Sequence, residues 1–157
     1  MRASFINPTA KYVTAISAFL VMLLVYAAFS KLLDAQRFVH QIRLSPLIPN
    51  GMHTAVAYAI PAGEIIIGLA LCFTRTRKTG LYAGYFLMLL FTLYLYFLLH
   101  YSTYIPCSCG GILGKMPWDV HIVFNLVVSI LTGIACFFEE RNYKPVQKAF
   151  HLQNPIA

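Results

Sequence analysis

The chain has 157 residues, of which 59% are hydrophobic and 11% charged, and its formal net charge is +7. Soluble domains average about 25% charged residues, so this composition excludes an ordinary water-soluble fold. The cations are spread over loops and tails without a basic stripe, which argues against nucleic acid as a partner and leaves membrane topology and anionic lipid as their use.

The first apolar stretch, Tyr12–Leu33, follows Arg2 and Lys11 and contains the small pair Ala27-Ala28. It is longer than the roughly 7–15 residues of a signal-peptide core and is expected to be a retained span. A polar loop, Asp34–Thr54, separates it from the second stretch, Ala55–Phe73, which carries Pro61, Glu64 and Gly68. The turn Thr74–Thr79 leads to the third stretch, Gly80–Leu99, which opens on Gly80 and Gly84 in a GxxxG spacing, a packing signal for membrane helices. A second polar loop, His100–Asp119, precedes the fourth stretch, Val120–Phe138, and the segment from Glu139 to Ala157 is polar. Each stretch is about 19–22 residues long, and a hydrocarbon core of ~30 Å needs roughly 20 residues of helix. In lipid a segment must satisfy its own backbone polar groups, so helix is the expected state. These features predict an all-α membrane protein: one domain over 1–157, a four-transmembrane-helix bundle with spans at about 12–33, 55–73, 80–99 and 120–138. Residues 139–157 are expected to form a short exposed cytoplasmic tail.

Loop cations set the orientation. Arg2, Lys11, Arg75, Arg77, Lys78, Arg141, Lys144 and Lys148 fall on one side, and Lys31, Arg37, Arg43 and Lys115 on the other. Both termini are therefore expected in the cytoplasm, with Asp34–Thr54 and His100–Asp119 outside, in the periplasm of a Gram-negative cell. Trp118 and tyrosines 94, 96, 101 and 104 fit an interfacial aromatic belt.

Chemistry concentrates at Pro106-Cys107-Ser108-Cys109-Gly110-Gly111 in the second outer loop. Its compartment is oxidising, so a disulfide can persist there. Cys72 and Cys136 fall near the cytoplasmic ends of their spans, most of a bilayer away, while a disulfide needs Cα atoms within ~7 Å. Cys107 and Cys109 can thus pair only with each other or with another molecule, and Cys72 and Cys136 are expected to be small apolar filler. A CxC bridge closes a small, strained ring, and strain makes such a bond more reducible. Gly110 and Gly111 leave the flanking backbone bare to an attacking thiolate, and the nearby Lys115 favours thiolate at one sulfur. Three uses remain open: redox exchange, a static bridge that pins the loop, and metal binding with His100 and His121. The static bridge has little entropic reason, since so short a ring removes almost no chain freedom.

Glu64 is the other notable residue, because a carboxylate within a span is costly unless it faces the interior and has a partner. Lys31 and Asp34, at the outer end of the first span, are the candidate partners. The group serves either as a helix-to-helix clamp or as a proton-handling group coupled to thiol or quinone redox.

Together these motifs resemble the MauE/DoxX group of small bacterial membrane proteins over about residues 12–138. The resemblance rests on Phe29-Ser30-Lys31-Leu32-Leu33-Asp34 followed by Phe38, on the Pro61, Glu64, Gly68 spacing, and on Cys107-Ser108-Cys109-Gly110-Gly111. It implies a four-helix bundle in the bacterial inner membrane with a role in periplasmic thiol redox. MauE-type proteins are associated with maturing a disulfide-rich periplasmic enzyme, methylamine dehydrogenase, a client that nothing in these residues specifies. Wider relatives sit beside thioredoxin-like proteins or join quinone-linked oxidoreductases. The expectation is a thiol–disulfide redox protein or accessory subunit using Cys107 and Cys109, with a separate thioredoxin-like or disulfide-containing partner and a quinone as the implied carrier. The rivals are an assembly subunit of a larger membrane complex and metal handling at the outer face.

Overall fold

The computed structural model describes residues 8–45, 48–49, 51–101 and 117–153. Its elements in chain order are α1 (Pro8–Leu33), α2 (Ala35–Arg43), α3 (His53–Cys72), α4 (Arg77–Tyr101) and α5 (Trp118–Gln153). Four of them, α1, α3, α4 and α5, are long and apolar enough to cross a membrane, in agreement with the spans expected from hydropathy. The long helices alternate in direction and close a ring: α1 packs on α3, α3 on α4, α4 on α5, and α5 back on α1.

Each long helix turns a narrow stripe inward. On α1 the buried residues are Val13, Ser17, Leu20, Leu24, Ala28 and Lys31, and on α3 they are Ala57, Pro61, Glu64, Gly68 and Leu71. These spacings of three and four residues define one helix face. Leu20, Leu24, Leu81, Met88, Val128 and Ala135 meet in the centre, while Phe19, Met22, Phe29, Ile66, Phe86 and Phe137 are exposed on the outer surface. Large apolar side chains on the outside fit a bundle whose surroundings are lipid.

The GxxxG pair lets α4 approach its neighbours closely. A Cβ on Gly80 would lie 3.0 Å from the backbone nitrogen of Leu71 and 3.1 Å from the carbonyl carbon of Ala70. A Cβ on Gly84 would meet Cδ2 of Leu20 at 2.7 Å, but that atom ends a flexible side chain. Gly80→Ala is therefore expected to destabilise the bundle by about 1–3 kcal/mol, as overpacking against unyielding atoms does. Gly84→Ala should cost less, because Leu20 can turn away and alanine favours helix. Unfolding of both variants in detergent checks this, and equal losses would contradict it.

Three features depart from the sequence expectations. The loop between the first two spans holds a helix, α2, because the Asp34 side chain caps it by accepting from the Arg37 N–H at 3.2 Å. Phe38 and Ile42, one turn apart, are buried against Ala57, Val56 and Ile60 of α3, each burial contributing about 1.5–3 kcal/mol. The helix of the last span does not end at Phe138: the span reaches Arg141 and α5 continues to Gln153, so most of the polar segment is helical. Glu139 itself is buried, and accepts from Arg77 Nε at Oε1 (3.1 Å) and from Nη2 at Oε2 (3.3 Å), locking α4 to α5. Finally, Cys72 is exposed at the end of α3 rather than filling the core, whereas Cys136 is buried in it; both are free thiols.

Candidate functional site

Lys31 and Glu64 both occupy inward positions of their stripes, so packing α1 against α3 forces the two charges to meet. Gly68, one turn beyond Glu64, faces Val25 of α1, whose Cγ2 would stand in ordinary contact, 3.6 Å, with a Cβ there. Lys31 Nζ donates to Glu64 Oε1 at 2.7 Å and to the Ala27 carbonyl at 3.3 Å, and it sits 5.7 Å from the centroid of the Phe91 ring. Exposure of the two side chains is 7% and 0%. The pair is buried, close and net neutral, which makes a carboxylate tolerable within a span. Its satisfaction is incomplete: Glu64 Oε2 is buried without a hydrogen-bond partner among the described residues.

Asp34 does not join this cluster. It is exposed and spends a carboxylate oxygen on the α2 cap. The polar surroundings of the pair come instead from α5, where His121, Asn125, Ser129 and Thr132 are all buried. Ser129 and Thr132 donate to the carbonyls of Asn125 and Val128 at 2.8 Å, so they are satisfied within their own helix. His121 and Asn125 line a cavity of ≈ 40 Å³ together with Lys31, Glu64 and Phe91. This inward polar face of α5 was not anticipated, although its signal was present: His121, Asn125, Ser129 and Thr132 recur at spacings of four, four and three in an apolar run.

A second cavity, ≈ 540 Å³, opens between α2, α3, α4 and α5, with Lys31 of α1 at its wall. Its walls are apolar and aromatic, including Phe38, Ile60, Phe91, Phe97, Leu98 and Trp118, with Lys31 as their one cation among the described residues. Tyr94 also lines it, and its hydroxyl donates to Ser45 at 3.1 Å, tying α4 to the end of α2. Lys31, Phe91 and Asn125 border both cavities and so form the partition between them.

Cys107, Cys109, Gly110, Gly111 and Lys115 lie outside the described residues. Chain connectivity still fixes one relation: their segment joins Tyr101 of α4 to Pro117, just before α5, at the end of the bundle that carries α2. Cys136 is about 27 Å further along the axis of α5 than Trp118 at ~1.5 Å per residue. For the metal alternative, His100 is exposed, 3.0 Å from the Tyr96 carbonyl and stacked on the Tyr96 ring, while His121 is buried inside the bundle. Among the described residues no three His, Cys, Asp or Glu side chains gather as metal ligands.

Fold and site thus define a four-span helical membrane protein built around a buried Lys–Glu ion pair. The chain belongs to the MauE family: the model of methylamine utilisation protein MauE matches residues 9–138, which takes in all four spans and the Cys107–Gly111 segment. No curated protein and no solved structure matches the chain.

Proposed function

We propose that the protein is a thiol–disulfide redox protein of the bacterial inner membrane, in which Cys107 and Cys109 exchange with an extracytoplasmic partner. The observation that carries this is the Cys107-Ser108-Cys109-Gly110-Gly111 sequence placed between two membrane spans. The charge asymmetry of the loops supports that segment facing the periplasm, with both termini in the cytoplasm. A thiolate of the partner attacks one sulfur, a mixed disulfide forms, and the second sulfur resolves it. The partner is a thioredoxin-like or disulfide-containing client, and the family's name, methylamine utilisation, supports maturation of an extracytoplasmic enzyme as the setting.

Electrons then pass to or from a carrier dissolved in the membrane, of the quinone class that wider DoxX-type relatives suggest. Glu64 handles the accompanying protons from its pairing with Lys31. This goes beyond a clamp, for which one fully satisfied ion pair would be enough; the unpartnered Oε2 leaves an acceptor in reserve.

The test is transfer of oxidising equivalents between the protein in lipid vesicles and a reduced thioredoxin-like protein added outside. Transfer that requires both thiols supports the proposal. Transfer unchanged after both thiols are replaced refutes it and favours an assembly subunit whose loop serves only for docking.

A further inference from the structure

We propose that the ≈ 540 Å³ cavity is the seat of the membrane electron carrier, and that its ligand is the ring of a neutral para-quinone held by Lys31. This rests on the redox function above. Size is the first argument: small-molecule sites span about 300–1,000 Å³ and are mostly apolar with few polar groups. Shape is the second. Phe38, Phe91, Phe97 and Trp118 offer ring faces and edges suited to a flat ring rather than to a flexible acyl chain.

Charge is the third argument, and it separates a quinone from a lipid headgroup. Among the described residues Lys31 is the single cation of the lining, and Glu64 at 2.7 Å already neutralises it. An anionic headgroup would find no net positive charge there. A neutral carbonyl oxygen needs only a donor. An ammonium carries three protons. Glu64 Oε1 and the Ala27 carbonyl take two, and the third remains for an oxygen in the cavity.

The partition supplies the fourth argument. Lys31, Phe91 and Asn125 have the apolar cavity on one side and the ≈ 40 Å³ cavity of Glu64 and His121 on the other. The smaller space exceeds the roughly 10–15 Å³ that one water requires, so a water there reaches polar partners. Ring chemistry and proton supply are thereby adjacent but separated. When Cys107 and Cys109 close their S–S bond they release two electrons and two protons, and the ring takes up both pairs as its two C=O groups become C–OH. In the reverse direction the quinol returns them and the S–S bond opens.

Trp118 is the only tryptophan of the chain and lines the cavity, so quinone binding is read from its fluorescence without reference to the thiols. The probe is decyl-benzoquinone titrated into the protein in lipid nanodiscs. Saturable quenching is expected, unchanged in a Cys107→Ser/Cys109→Ser variant. Ile60→Phe and Val56→Phe, which narrow the cavity from partly buried positions, should weaken binding at least tenfold. Lys31→Met/Glu64→Gln, which removes the pair without stranding a charge, should do likewise. Linear, non-saturating quenching, or saturable quenching that none of these variants shifts, would overturn the site. A co-purified phospholipid that the probe cannot displace would overturn it too. Binding that persists while vesicle transfer proves independent of the thiols would leave the site standing and refute the redox function instead.

Discussion

Cys107→Ser and Cys109→Ser are each expected to lose disulfide exchange with a thioredoxin-like partner down to the background of the uncatalysed reaction. The loss is total rather than partial because the chemistry needs two sulfurs in sequence. One sulfur bonds to the partner, and the other must break that bond; a hydroxyl is neither an adequate nucleophile for sulfur nor able to form the bridge. The two variants are nevertheless expected to differ. The variant that keeps the attacked sulfur should accumulate a mixed disulfide, visible as a heavier band on a non-reducing gel, whereas the other should show none. Cys72 and Cys136 provide the internal control. They are free thiols, one at the opposite end of α3 and one buried in the core, and their replacement should leave exchange intact. Full exchange in either single variant at 107 or 109 would remove the redox role.

The second large effect is expected at the ion pair. Lys31→Met leaves the Glu64 carboxylate buried without its cation, and breaking a buried pair in this way costs about 3–5 kcal/mol. Lys31→Met/Glu64→Gln should recover most of that loss, because replacing both charges removes the desolvation cost together with the attraction. Unfolding of single and double variants in detergent gives the comparison, and equal instability of the two would contradict it. The double variant also separates a mere clamp from a redox role of the pair. If the pair only ties α1 to α3, the refolded double variant transfers electrons at the normal rate. If Lys31 seats the carrier and Glu64 handles protons, it folds but exchanges slowly with the membrane carrier while still forming the mixed disulfide.

The sequence made the four spans legible because span length is set by the bilayer, and an uninterrupted apolar run has one stable outcome in lipid. It also pointed to the Lys31–Glu64 meeting, since a charge inside a span needs a partner and these chains offer few. Asp34 looked equivalent to Lys31 by position but is drawn to the nearest orphan backbone donor, Arg37 N–H, three residues away. Helix α2 escaped notice because its burial rests on two apolar side chains, Phe38 and Ile42, within a polar stretch. The α5 stripe escaped because hydropathy averages over a helix and discards phase; four buried polar residues vanish among valines, leucines and isoleucines. Glu139 was assigned to a tail because nothing local reveals Arg77, a partner far away in sequence. The ≈ 540 Å³ cavity belongs to no single segment, being a gap lined by residues of all five helices, and no sequence pattern carries it.

The most direct test of the redox function is the state of Cys107 and Cys109 in living cells, trapped by acid quench and read by alkylation with a heavy maleimide against single Cys→Ser controls. The expected result is a mixture of oxidised and reduced protein that shifts when the thioredoxin-like partner or respiration is removed. A pair that stays fully oxidised under every such condition would contradict electron transfer and leave the bond as a static feature of the loop.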